Sequence, residues 1–482
     1  MTTSTPSPAR CIAPVASAAA EANLPISDRA LALALDKADP LAPLRKEYNI
    51  PGSSEGAAYI CAHALGPQPK KVGALLQEEV EAWATVGIHG HTNHPSGKHW
   101  TLGKGLDERG VDVMADIVGA LPSEVTLMGG LTGNLHVMMT SFYRPDVASG
   151  RTKIIFEANA FPSDLFAFDS QVRLHDLDPA SALVGLHPRA GEHYLRTEDI
   201  IAAIEEHGDT TAVVLFSAVH WYSGQLFDME QITKKGQEKG CIVGWDCAHA
   251  AGNALLQLRD WNVDFAVWCN YKYLNSGPGA TASIFVHERH FDRLRLAGWW
   301  GHELASRFGS TVPFKPRLGA AGFALNNPSL FATVPVHASM EILRTIPSLC
   351  SNSTITSPSP LSTIMPHVSS KSTLLTGYLE ALLTSPIVMG DSASRLRVIS
   401  PPEPEERAAC LSVLFLPREG DEDKGDAVTY SRTLVEVFEA LKKAGIIVDK
   451  RAPDLIRFAP SALYNTFDEM WRTAMAVKEA LV

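Results

Sequence analysis

Between residues 121 and 288 the chain alternates short, largely apolar runs with segments of helical spacing, and that alternation leaves few folds open. The runs are VTLMG (125–129), TKIIFEA (152–158), TAVVLFS (211–217), CIVGWDC (241–247), FAVWCN (265–270) and ASIFVH (282–287). Residues 131–143 and 197–207, which lie between runs, read as helices. Strands that are apolar on both faces need cover on both faces, and helical connections join them most simply in parallel. The expected fold class is therefore α/β, with a large domain on a mostly parallel sheet. Near the C-terminus LRVIS, CLSVLFLP, GIIVDK and DLIRFAP read as strands, and residues 430–443 and 467–481 as helices, of a smaller α+β domain.

In such sheets ligands sit beyond the carboxyl ends of the strands. After VTLMG come Leu131 and Thr132; after TKIIFEA come Phe161, Pro162, Ser163 and Asp164. TAVVLFS ends on Ser217 and is followed by His220, Trp221 and Tyr222. CIVGWDC carries Asp246 and precedes His249, and FAVWCN precedes Tyr271 and Lys272. Five strand ends thus bring hydroxyls, carboxylates, imidazoles and one lysine to one edge, which makes that edge the candidate site.

A lysine at the end of an apolar strand is commonly a surface residue whose stem lies along the protein. Partial burial instead makes its amine nucleophilic toward aldehydes. Asp246 decides between the two readings. A carboxylate at a buried strand end needs a cationic partner, and a protonated pyridine nitrogen supplies one. The plainer role for Asp246 is a turn or cap, since Ala248 and His249 follow at once. Thr132 opens the helical text NLHVMMTSFY, where a helix start is an anion site as well as an N-cap. Lysine, acid and anion site together match pyridoxal 5′-phosphate (PLP). His89, His91, His94 and His99 crowd one loop, but without helical spacing or a cysteine among them, so no metal is expected. Contact of one of them with substrate is the expectation instead.

With 482 residues the chain has room for two or three domains. A net charge of −11 argues against nucleic acid or an anionic membrane as partner. Seven scattered cysteines suit reduced, buried thiols, and no apolar run reaches the ~18 residues of a membrane span. Residues 1–24, with Arg10 as the one basic residue before Glu21, read as a flexible leader rather than a targeting signal, and a cytoplasmic location follows. The divisions expected after it are an N-terminal segment packing on the small domain (25–70), the large domain (71–343), a Ser/Thr/Pro-rich exposed insertion (344–370) and the small domain (371–482).

ALGPQPK, LTGNLH, FPSD, SAVHWYSGQ, DCAH, NYKYLN, GWWGHE, NNP and IRFAPSALYN occur in this order from about Tyr59 onward. The ordered set resembles kynureninase. The resemblance implies an aspartate-aminotransferase-like fold (PLP fold type I) and a homodimer with active sites at the subunit interface. It implies hydrolysis of L-kynurenine or 3-hydroxy-L-kynurenine to anthranilate or 3-hydroxyanthranilate plus L-alanine, a step in tryptophan degradation toward NAD. By the same resemblance Lys272 carries the cofactor, Asp246 binds its ring nitrogen and Phe161 stacks on the ring. Leu131, Thr132, Pro162, Ser163, Asp164, Ser217, His249 and Tyr271 complete its shell, with Trp299 and Asn327 coming from the partner subunit. Arg457 clamps the substrate carboxylate, His91 faces its aromatic ring, Asn327 serves substrate as well as cofactor, and Tyr222 handles a proton.

Two departures concern specificity: Ala62-His63-Ala64-Leu65-Gly66 replaces the usual Gly-Asn-Ser-Leu-Gly, and Asn326 stands where serine is common. Two alternatives remain at this stage. One is a cysteine desulfurase or selenocysteine lyase, for which Cys350 is the available loop thiol. The other is a catalytically weakened homologue acting as a binding protein.

Overall fold

The computed structural model describes residues 12–101, 105–309, 313–417 and 428–482. Its centre is a seven-stranded sheet. In chain order the strands are β1 (Val125–Leu127), β2 (Lys153–Glu157), β3 (Leu183–Leu186), β4 (Thr211–Ser217), β5 (Ile242–Asp246), β6 (Phe265–Trp268) and β7 (Ser283–Val286). Their order across the sheet is β1-β7-β6-β5-β4-β2-β3. Only β7 runs against the others, pairing antiparallel with both β1 and β6. Every residue of β4, β6 and β7 is buried, as runs apolar on both faces require. β3 is the strand missed by periodicity: its residues are half-exposed and it sits at the sheet edge.

The helices α1 (Leu131–Phe142) and α2 (Pro162–Leu174) follow β1 and β2 and start at the same edge of the sheet. Ser217 and Asp246 are neighbours in register on β4 and β5, so the two polar strand ends lie side by side.

The smaller domain holds an antiparallel sheet in the order Leu396–Val398, Leu411–Phe415, Leu455–Phe458, Asp449–Arg451. The helices Met365–Leu383, Arg432–Lys443 and Phe467–Leu481 share its core. Ala58–Tyr59 pairs in parallel with Ile446–Ile447, tying the chain's early segment to this domain.

Two expectations are corrected. The leader is not loose where it is described: Ala13–Ala22 is a helix whose Val15 and Ala19 enter the small-domain core. Its alanine content favours helix, and the i,i+4 pair gives it a face to bury; residues 1–11 lie outside the described residues. The segment 344–370 is not an exposed insertion throughout. Ile346, Cys350, Ile364, Met365 and Val368 are buried in the large core, and Asp116 accepts hydrogen bonds from the backbone of Thr363 and Ile364. Pro366 does not end a helix but sits in the first turn of Met365–Leu383, where its missing N–H has no partner to lose.

Candidate active site

The carboxyl ends of β1, β2, β4, β5 and β6 open onto one cleft. Leu131, Thr132 and Phe161 line one side of it, and Ser163, Asp164 and Ser217 continue the wall. Asp246, His249, Tyr271 and Lys272 complete it. Trp221, noted beyond its strand end but given no role, also lines the cleft, as do Val219 and Ala248, which sequence alone did not assign to the site.

Two helix starts face this space without side-chain caps. Thr132 occupies the first turn of α1 rather than its N-cap, which is Gly130, so the plain-cap reading of Thr132 is withdrawn. Its hydroxyl instead shares a 2.6 Å hydrogen bond with Ser163 in the first turn of α2. Pro162 takes the first position of α2, where it fits best. Uncapped N–H groups, two hydroxyls and two dipole ends together form an anion site.

At the floor the charges reverse. Burial raises the Asp246 carboxyl above the ordinary range, and the Lys272 ammonium acts in the opposite sense. Burial, reinforced by the Asp246 and Glu157 charges, raises Asp164 well above its usual value. Asp246 accepts the Ala248 N–H at 2.7 Å, while Asp164 Oδ1 has no partner among the described residues. Glu157, the single acid in β2, is fully buried and pushed up to about 7 by desolvation. It accepts both the backbone N–H and the hydroxyl of Ser217. A lone acid in an apolar run was the legible signal for Glu157. Lys272 Nζ lies 5.9 Å from the centroids of both Phe161 and Tyr271.

The arrangement fits pyridoxal phosphate on three independent counts. Asp164 Oδ1 is buried without a hydrogen-bond partner among the described residues, Phe161 keeps 45 % of its surface exposed at the cleft, and the helix starts offer donors to a phosphate. His249 is half-buried and held neutral by desolvation and the neighbouring Lys272, and it reaches the His63 carbonyl at 3.1 Å.

The remaining candidates lie outside the cleft within one chain. Arg457 is buried one layer behind it, donating to the Trp221 carbonyl at 2.5 Å, with its guanidinium 5.7 Å from the Trp221 ring. The Tyr222 ring packs edge-on against Trp221, and burial raises its phenol. His91 stands edge-on to Trp100, Trp299 is half-exposed beside Phe308, and Asn327 is exposed. Of the other loop histidines, buried His94 pairs with Glu79, and His99 accepts the His94 N–H. No group of three metal-ligating side chains occurs among the described residues. Cys350, the thiol a desulfurase would need on an open loop, is buried, as are the other described cysteines.

Comparison with known proteins places the fold first. Residues 186–297 match the aminotransferase class-V family, and residues 368–477 match the kynureninase C-terminal domain. A cysteine desulfurase from Thermococcus onnurineus NA1 superposes with a TM-score of 0.64 at 17% identity, covering 91% of this chain and 97% of that one. The cystine C–S lyase C-DES, in complex with cysteine persulfide, gives 0.66 at 13% identity, covering 89% and 99%. The chain is thus an α/β protein of the class-V aminotransferase fold, PLP fold type I. Kynureninase 1 of Emericella nidulans is 41% identical over 94% of this chain and 93% of its own length. The kynureninase of Mus musculus is 40% identical over 94% and 93%, and that of Monosiga brevicollis 41% over 96% and 98%. The chain belongs to the kynureninase family.

Proposed function

We propose that this chain is a pyridoxal-phosphate-dependent kynureninase, hydrolysing the Cβ–Cγ bond of L-kynurenine or its 3-hydroxy derivative. The products are anthranilate or 3-hydroxyanthranilate and L-alanine. The observation that carries the reading is the opening of Lys272 and Asp246 onto the same cleft beside an exposed aromatic ring.

When bound, the cofactor supplies an aldehyde for amine exchange and a ring that accepts charge from the carbon whose bond breaks. Asp246 keeps a proton on the ring nitrogen, and the neighbouring Asp164, whose own carboxyl favours the protonated form, lets one acid ionise while the other does not. Lys272 would hold the cofactor through its amine, and its Nζ would move the proton at the substrate α-carbon. The helix starts at Leu131 and Pro162, with Thr132 and Ser163, hold the phosphate. Arg457 binds the substrate carboxylate, drawing on a fork suited to it. Tyr222 passes a proton as water adds to the γ-carbonyl and the C–C bond breaks.

His91, Trp299 and Asn327 do not line the cleft in one chain, which suits delivery from a second copy. Exposed apolar side chains support that assembly: Trp83 and Phe331 pair at 6.3 Å, and Trp299 and Phe308 at 5.6 Å. The protein then acts as a homodimer in the cytoplasm on a small amino acid, with no nucleic-acid partner. Among the described residues no helix is long and apolar enough to cross a membrane. The divisions 71–343 and 371–482 form the large and small domains, and the cleft is built wholly from the first.

Desulfurase activity lacks its thiol, because Cys350 is buried. Incubation with kynurenine should release anthranilate and alanine in equal amounts. Sulfide release from cysteine without anthranilate from kynurenine would overturn the assignment.

A further inference from the structure

The departure at residues 62–64 leads to the substrate side of the site. His63 is 2 % exposed, and its Nε2 lies 3.2 Å from Asp449 Oδ2. Burial and the nearby Arg457 charge push this imidazole down to about 3, so the ring is neutral and carries one proton. A carboxylate accepts only, so that proton sits on Nε2 and Nδ1 is a bare acceptor. Nδ1 is indeed buried with no partner among the described residues.

Asp449 and Arg457 face each other in register across two antiparallel strands. Asp449 Oδ2 accepts from His63 and from Arg457 Nε (2.9 Å) and Nη2, and Oδ1 accepts from Arg451 at 2.9 Å. These bonds hold the Asp449 carboxyl well below the usual range although burial acts against it. Arg457 spends a third donor on the Trp221 carbonyl, which leaves two of the five N–H groups of a guanidinium beyond these bonds. The orientation of those two is set by Asp449. At its other end His63 accepts the His249 N–H on its backbone carbonyl, and His249 lines the cofactor cleft.

We propose that His63 is a positioning residue for the carboxylate clamp, fixing Asp449 and through it the guanidinium of Arg457 toward an α-amino-acid carboxylate. The proposal rests on the reading of Arg457 as that clamp. A neutral donor suits the task, because it satisfies a lone pair of Asp449 without cancelling the charge that holds Arg457. Reach matters as much as chemistry. The amide nitrogen of glutamine extends to where imidazole Nε2 sits, whereas that of asparagine stops near Nδ1 and cannot meet Asp449 without backbone movement. The asparagine usual in the family at this position therefore cannot substitute for His63 in this chain.

The test measures KM and kcat for kynurenine separately in His63→Gln, His63→Asn and His63→Leu, with cofactor absorbance per subunit recorded for each. Losing a hydrogen bond to a charged group should raise KM about tenfold in the asparagine and leucine variants, with kcat within about threefold and absorbance retained. His63→Gln should restore KM to within about threefold of the parent. In an Asp449→Asn background, itself raised in KM, replacing His63 should add nothing further. Unchanged KM in His63→Asn and His63→Leu, or a fall in kcat and absorbance at constant KM, would overturn the proposal. Arg457→Lys separates the two claims. If it raises KM while the His63 variants do not, only the positioning role fails; if it leaves KM unchanged, the clamp reading fails as well.

Discussion

Asp246 and Asp164 share the cleft with Lys272, Glu157 acts on them through its charge, and all three acids are buried. Buried acids persist only with a compensating partner, and the site provides Lys272 with room for a heterocyclic cation. Replacing Lys272 with alanine should abolish turnover and the visible absorbance of bound cofactor together; residual turnover above about one part in a thousand would contradict its role. Glu157 adds a dependence on pH. Its folded value near 7 exceeds the unfolded 4.5, so the folded state binds the proton more tightly. Its contribution is full below 4.5 and is lost as pH rises through 7, an effect on the order of 3 kcal/mol. Glu157→Gln should flatten the stability profile across that window, measured as denaturant midpoint against pH on protein freed of cofactor. At this scale the sequence was most readable where chemistry follows a strand directly: Asp246 and Lys272 were visible as polar residues closing apolar runs. The His63–Asp449 pair was not, because its members lie 386 positions apart and only the small-domain sheet brings them together.

Short turns between elements place those residues. Gly66 donates to the Tyr271 carbonyl at 2.8 Å, and a Cβ there would lie 2.4 Å from the Lys272 carbonyl and 2.1 Å from Asn275 Oδ1. Only a residue without a side chain fits so close to the turn that carries the lysine. Gly66→Ala should therefore displace residues 271–275, lowering bound cofactor and cutting kcat at least about tenfold; unchanged absorbance and kcat would show the turn to be tolerant. Helix Arg29–Ala38 meets the small domain through Leu31, which is fully buried, and Asp36 accepts the first N–H groups of Phe467–Leu481. Leu31→Ala should cost about 2–5 kcal/mol in chemical denaturation. Internal strands were legible because full burial writes a continuous apolar run. The edge strand β3, half-exposed, wrote none. Composition misled in two places. Alanine and serine near the N-terminus suggested slack chain, and proline in 344–370 suggested exposure, yet a few apolar residues in each stretch reach a core and decide the outcome.

At the scale of the whole molecule, Trp299 and Asn327 are exposed and lie outside the cleft, and in the proposed dimer a second copy would bring them to it. Mixing Lys272→Ala with Asn327→Ala subunits tests this. Each hybrid dimer contains one site with both residues intact, so random reassociation should recover roughly a quarter of parental activity from two weak parents. No recovery in a mixture shown to exchange subunits would place Asn327 in its own chain's site. The fold at this scale was legible as strands and helices in sequence, but the antiparallel β7 depends on contacts that periodicity does not encode. The central claim, that Lys272 is the covalent anchor of pyridoxal phosphate, has a direct measurement. Borohydride reduction of the holoenzyme followed by peptide mass spectrometry should find the phosphopyridoxyl group on the peptide containing Lys272, at about one per subunit. Labelling of a different lysine, or none under conditions that retain the cofactor, would contradict it.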